Sequence, residues 1–137
     1  MKIILDTNVF FSAFFYDNKI LELVDQVYLQ HQVFVSNEII AELENKLFSA
    51  KAKKLKTNYN IEETTSFFDK IKQDSFLIEP TVTVEICRDP LDNMFLELAE
   101  TVEADYIITG DKDLLSLLNH KQTQILKPNQ FYEKIGI

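Results

Sequence analysis

Two short aliphatic runs in this chain each end on an aspartate, and that pairing constrains the fold more than any other feature. Residues 2–5, KIIL, lead into Asp6, and the later stretch DYIITGD leads into Asp111. A carboxylate buried without a partner is very costly, so each of these needs a hydrogen-bonded turn, a cation or a metal ion. In open parallel sheets, ligands bind beyond the carboxyl ends of the strands. Both aspartates are therefore predicted to sit at the mouth of a sheet, where chemistry can use them.

The rest of the chain supplies the helices that a parallel sheet needs. Residues 18–30 carry Ile20, Leu21, Leu23, Val24, Val27 and Tyr28 at helical spacing, with Asn18 as the predicted cap. QVFVS at 32–36 reads as a second strand, and Ser36 caps a helix striped by Ile39, Ile40, Leu43 and Leu47. Asn60 and Glu63 form a capping-box pattern for a helix through IEETTSFFDKIKQ. SFLIEPTVTVEI contains one or two extended pieces broken at Pro80. In DPLDNMFLELAETV, Leu91, Met94, Phe95, Leu98, Ala99 and Val102 keep helical spacing, with Asp89 as cap and Pro90 at the first helical position. KDLLSLL reads as a short helix, TQILKP as a last strand and NQFYEKI as a terminal helix. Strands alternating with helices predict an α/β fold with a parallel sheet covered on both faces.

The length of 137 residues suits one compact domain over 1–137. The net charge of −8 argues against a protein that coats nucleic acid through a basic surface, yet leaves room for an enzyme that acts on nucleic acid with bound cations. Cys87 is the only cysteine, so internal disulfides and Cys-based zinc sites are excluded and a reducing, cytoplasmic setting is expected. The amino end lacks the pattern of a signal peptide, and no segment approaches a membrane span.

Two further acids are placed to reach the strand ends. Asp92 falls in the first turn of the helix after Pro90, where the helix dipole favours negative charge. Glu42 falls in the second turn of the helix after Ser36 and borders its Ile39–Leu43 stripe, so it should lean toward the sheet half buried. Asp113 lies two residues beyond Asp111. Each acid also has a simpler reading: Asp89 as a cap, Asp111 or Asp113 as a cap for LLSLL, Asp6 in an Asx-turn. Capping does not explain acids recurring at matching ends of separate strands. Clustered carboxylates repel one another unless some are protonated or cations neutralise them. Oxygen-only ligands suit Mg²⁺ or Mn²⁺ rather than Zn²⁺, and such ions serve phosphodiester hydrolysis.

At these residues the sequence resembles the PIN-domain nucleases, in ILDTNVFFSA, SNEIIAELENKL, CRDPLDNMFLELAETVEADYIITGDKDLL and ILKPNQF. It is most similar to the branch of toxins from toxin–antitoxin pairs. The resemblance implies a three-layer α/β/α sandwich with a central parallel sheet of about five strands. It also implies metal-dependent cleavage of RNA, leaving a 5′-phosphate and a 3′-hydroxyl. Carried over, the family's acids fall on Asp6, Glu42, Asp92 and Asp111, and Asp113 matches an acid found in part of the family. Asn8 and Thr109 match small polar positions that orient the acids. Asp6, Asp92 and Asp111 would hold one or two Mg²⁺ or Mn²⁺ ions directly or through water, with Glu42 and Asp113 as further metal ligands, and Glu42 would bind, orient or deprotonate the metal-bound attacking water. A protein antitoxin and a homodimer are the partners the resemblance implies. Leu91 departs from the pattern, standing where relatives often carry another acid.

Residues 46–56, KLFSAKAKKLK, hold Lys46, Lys51, Lys53, Lys54 and Lys56 without an acid, so they read either as a basic arm for the RNA backbone or as a solvated helix face. Lys112 is in reach of phosphate or simply exposed. The aromatic run VFFSAFFY is expected in the core or at a dimer interface, with base stacking as the lesser alternative. Ser12 has no partner that would make it a nucleophile. His31 and His120 are read as surface residues, and Cys87 as a buried small residue. Three other functions compete with the ribonuclease. A haloacid-dehalogenase-type phosphatase needs a second aspartate where this chain has Asn8. The others are a PIN-like binding module without catalysis and a structure-specific DNA nuclease.

Overall fold

A computed structural model describes residues 1–55 and 58–135. Its strands are β1 (Lys2–Leu5), β2 (Gln32–Val35), β3 (Phe76–Leu77), β4 (Tyr106–Ile108), β5 (Asn119–His120) and β6 (Thr123–Leu126). Its helices are α1 (Thr7–Phe15), α2 (Asn18–Gln30), α3 (Asn37–Leu47), α4 (Ala50–Leu55), α5 (Ile61–Asp74), α6 (Asn93–Val102), α7 (Lys112–Leu115) and α8 (Pro128–Ile135), with a 3₁₀ turn at Pro90–Asp92.

The strands form a six-stranded sheet in the order β3-β2-β1-β4-β6-β5. β3, β2, β1, β4 and β6 run parallel, as expected, and β5 adds an antiparallel edge. No sequence signal marks β5, because its two residues are too short to show alternation. Alternating side chains along the central strands feed two cores. Ile3 and Leu5 join Phe10, Leu23, Val27, Leu43 and Phe131 on one face, and Ile4 and Ile107 join Ile39, Phe95, Leu98 and Ile125 on the other. Helices thus cover both faces, which gives the three-layer sandwich. Truncating a fully buried aromatic such as Phe10 or Phe95 costs about 3–5 kcal/mol.

The aromatic run after Asp6 is a helix, α1. Its buried side puts Phe10 and Phe15 in the core, and Phe14 stacks on Phe67 of α5 at 4.6 Å between ring centroids. Core packing thus accounts for most of the run, although Tyr16 is exposed. Asp17, not Asn18, caps α2 by accepting from Lys19 N and Ile20 N. Ser36, Asn60 and Asp89 cap as predicted, although the turn after Asp89 is 3₁₀ before α6 begins.

The stretch TVTVEI alternates like a strand yet joins no strand after Leu77. Its amides, and that of Cys87 after it, are held by side chains of α6. Thr81 N donates to Thr101 Oγ1, Val84 N to Glu97 Oε2, and Ile86 N and Cys87 N to Asn93 Oδ1. Residues 93, 97 and 101 are four apart and share one face of α6, so this face replaces a neighbouring strand.

Two smaller expectations are corrected. His120 is partly buried, with Nε2 2.9 Å from Glu100 Oε2, because β5 folds it back toward α6. His31 caps α2, packs edge-on against Phe131 and keeps Nε2 buried.

Candidate active site at the carboxyl ends of β1 and β4

The chain leaves β1 toward β2 and β3 on one side and returns through β4 to β6 on the other. The strand order reverses between β1 and β4, and such a switch point opens a crevice beyond the strand ends. Asp6 follows β1 and Asp111 stands three residues after the end of β4, so both stand at that end of the sheet.

Asp6 is almost fully buried, and both of its oxygens are engaged. Oδ1 accepts from Asn8 N at 3.1 Å and from Thr7 Oγ1 at 3.4 Å, which caps α1. Oδ2 accepts from the buried Thr109 hydroxyl at 2.6 Å. That hydroxyl oxygen accepts in turn from Asp111 N at 3.0 Å. Asp111 Oδ2 caps α7 by accepting from Leu114 N. Both aspartates therefore serve as caps, as the simpler reading expected, while standing at the carboxyl ends of neighbouring strands.

Asp92 meets them from the start of α6. Its carboxyl is pushed up to about 7, first by partial burial, then by the negative charges of Asp111, Asp89 and Asp6 and by a hydrogen bond shared with Asp111. Asp89, Asp92, Asp111 and Asp113 also act on Cys87, whose thiol is pushed up to about 11 by burial and then by these charges. Cys87 is half buried beside the acids rather than sunk in the core.

Glu42 approaches from α3. Oε1 lies 3.2 Å from Lys46 Nζ, and Oε2 is buried without a hydrogen-bond partner. Lys46 donates further to Thr7 Oγ1 at 2.8 Å and to Asn8 Oδ1 at 2.9 Å. A continuous run of polar contacts thus links Glu42 through Lys46, Thr7, Asp6 and Thr109 to Asp111. Of the expected basic arm, the structure brings only Lys46 into this run. Lys51, Lys53 and Lys54 are exposed on α4, Lys112 is exposed at the start of α7, and Lys56 lies outside the described residues.

Sequence reasoning passes over Thr7 and Asn93. Thr7 is fully buried between Asp6 and Lys46, and its position directly after Asp6 is the available signal. Asn93 anchors the segment that carries Cys87; its position next to Asp92, at the first turn of a helix, is the corresponding signal.

The site offers oxygen donors only, the set that hard divalent ions take. The mutual repulsion around Asp92 fits a cation there, and the orphaned Glu42 oxygen fits a water or an ion beside it. Among the described residues, however, no three His, Cys, Asp or Glu side chains already stand at ion-holding spacing, so binding would require the carboxylates to draw together.

The sequence matches the PIN-domain family over residues 2–113. The chain belongs to the PIN-domain family. This PIN domain is 35% identical over 140 residues to an uncharacterised protein of Methanocaldococcus jannaschii, a match spanning 98% of this chain and 85% of that protein. In structure it is similar to VapBC2 from Rickettsia felis, solved bound to a DNA fragment from their promoter, with a TM-score of 0.61, 13% identity, and 91% and 97% of the two chains covered. It is also similar to PAE2754 from Pyrobaculum aerophilum, with a TM-score of 0.66, 13% identity, and 99% and 90% covered. At that identity the two structures speak to the fold, the same mostly parallel sandwich.

Proposed function

We propose that this PIN domain is a Mg²⁺- or Mn²⁺-dependent endoribonuclease and the toxin of a toxin–antitoxin pair. The family supports nuclease chemistry, and the similarity to VapBC2 supports the pairing with an antitoxin. The observation that carries the reading is the Thr109 bridge that joins buried Asp6 to Asp111 at the strand ends, beside an Asp92 carboxyl pushed up to about 7 by partial burial first and then by the charges of Asp111, Asp89 and Asp6. Carboxylates gathered at one end of a sheet are relieved by a proton or by a cation, and a divalent ion supplies the latter.

Asp6, Asp92 and Asp111 are the residues that would hold the ion, with Asp113 in support. When bound, such an ion supplies Lewis-acid stabilisation of the phosphate and eases deprotonation of water. Glu42, with one oxygen unpartnered, is suited to orient the attacking water and accept its proton. Thr109 and Asn8 fix Asp6. Lys51, Lys53, Lys54 and Lys112 are suited to the RNA backbone.

The test is cleavage of RNA by the purified chain in Mn²⁺, compared with Asp6→Asn and Asp92→Asn. Each variant should lose at least about 100-fold in rate while remaining folded, and a chelator should stop the wild type. Activity that survives chelation, or both substitutions, sinks the reading. A second reading is a binding module without catalysis. It is compatible with the described residues holding no three His, Cys, Asp or Glu side chains already at ion-holding spacing. It predicts no Mn²⁺-dependent cleavage together with tight binding of a partner protein.

A further inference from the structure

Lys46 stands out from the other lysines because its ammonium is built into the site. Three oxygens surround it: Thr7 Oγ1 at 2.8 Å, Asn8 Oδ1 at 2.9 Å and Glu42 Oε1 at 3.2 Å. Its side chain is only 29% exposed. An ammonium has three N–H donors, and here each has an oxygen to take it, so Lys46 is poorly placed to reach out for a phosphate as a flexible arm would. It also joins the carboxylate of Glu42 to the hydroxyl that leans on Asp6. Glu42 Oε2 remains buried and unpartnered beside it.

We propose that Lys46 is a positioning residue that serves as a resident cation on the Glu42 side of the crevice. One positive charge there fixes the orientation of Glu42 and occupies the pocket formed by Glu42, Thr7 and Asn8. A divalent ion is thereby confined to the Asp6, Asp92 and Asp111 side. Glu42 stays outside the ion's ligand set, with one oxygen left for water. For its catalytic consequence this inference rests on the nuclease reading above.

The test is a Mn²⁺ titration by calorimetry on the full chain, without RNA, for wild type, Lys46→Met, Lys46→Arg and the double variant Lys46→Met/Glu42→Gln. Removing the ammonium opens the Glu42 pocket, so Lys46→Met should bind Mn²⁺ at least about fivefold more tightly, or take up an additional ion. Lys46→Arg should match the wild type, and Glu42→Gln should cancel the gain. Lys46→Gln, which keeps a polar end, replaces Lys46→Met if thermal melts show that variant unfolded. Unchanged or weaker Mn²⁺ binding in the neutral variants overturns the proposal, as does a gain that survives Glu42→Gln.

In parallel, kcat on a short RNA should fall about 10- to 100-fold in Lys46→Met, with Lys46→Arg partly restored. KM should stay within about threefold, whereas a KM effect with unchanged kcat would mark a plain phosphate contact and overturn the positioning role. If wild type itself cleaves no RNA, the nuclease reading fails, and the ion titration still decides the role of Lys46.

Discussion

The hydroxyl of Thr109 lies 2.6 Å from Asp6 Oδ2, and both groups are buried. Because the Thr109 hydroxyl donates to Asp6 and its oxygen accepts from Asp111 N, one small side chain spaces the acids of two strands. Thr109→Val keeps the shape and removes both hydrogen bonds. It should lower stability by about 1–3 kcal/mol, the cost of leaving buried polar partners unsatisfied, whereas Thr109→Ser should stay close to wild type. Denaturant melts of the three proteins check this.

Asp92 makes the metal-free protein pH-sensitive. Its carboxyl is raised from the ordinary 3.8 to about 7, by burial first and by Asp111, Asp89 and Asp6 next. The native state therefore binds a proton between these values that the unfolded state releases. Stability from this group is complete below about pH 4 and declines as pH rises through about 7. In chelator, wild type should melt at a lower temperature at pH 8 than at pH 5.5, and Asp92→Asn should flatten that difference. Adding Mn²⁺ at pH 8 should restore wild type and leave Asp92→Asn little changed.

The exposed lysines of α4 give a separable prediction. Replacing Lys51, Lys53 and Lys54 together with alanine should weaken RNA binding without touching ion binding. The salt dependence of binding should flatten, by about 0.7 in the log–log slope for each phosphate that is no longer neutralised. Filter binding of a single-stranded RNA across salt concentrations measures it. An unchanged slope makes α4 an ordinary solvated helix.

Asn93 holds two amides of the segment beside the site. Asn93→Ala leaves both without their acceptor and should cost about 1–3 kcal/mol. It should also loosen Cys87, whose thiol is held up to about 11 by burial and the neighbouring aspartates. Reaction with a thiol reagent at pH 8, slow in wild type, should speed up in the variant.

Much of this arrangement is legible in the residues. The central strands show as aliphatic runs, the caps at Ser36, Asn60 and Asp89 as local patterns, and the acid-ended strands KIIL and YIITG point to one mouth of a sheet. What escapes depends on contacts between distant segments. α1 is hidden because its aromatics face several neighbours at once and show no clean polar stripe. TVTVEI carries the alternation of a strand, and only the polar face of α6 reveals why it does not join the sheet. The seat of Lys46 is equally hidden: a lysine in a basic stretch gives no sign that its end folds inward onto Thr7 and Asn8, thirty-nine and thirty-eight residues earlier.

The hooks at Asn93, Glu97 and Thr101 make the register of α6 matter as much as its chemistry. Inserting one residue between 93 and 97 would swing Asn93 about 100° away from the hooks beyond it, since each helical residue turns by that angle. Asp92 would be carried round with it. The helix thus works like a key with several teeth cut on one blade: the tooth that meets the strand ends and those that grip TVTVEI turn together or not at all.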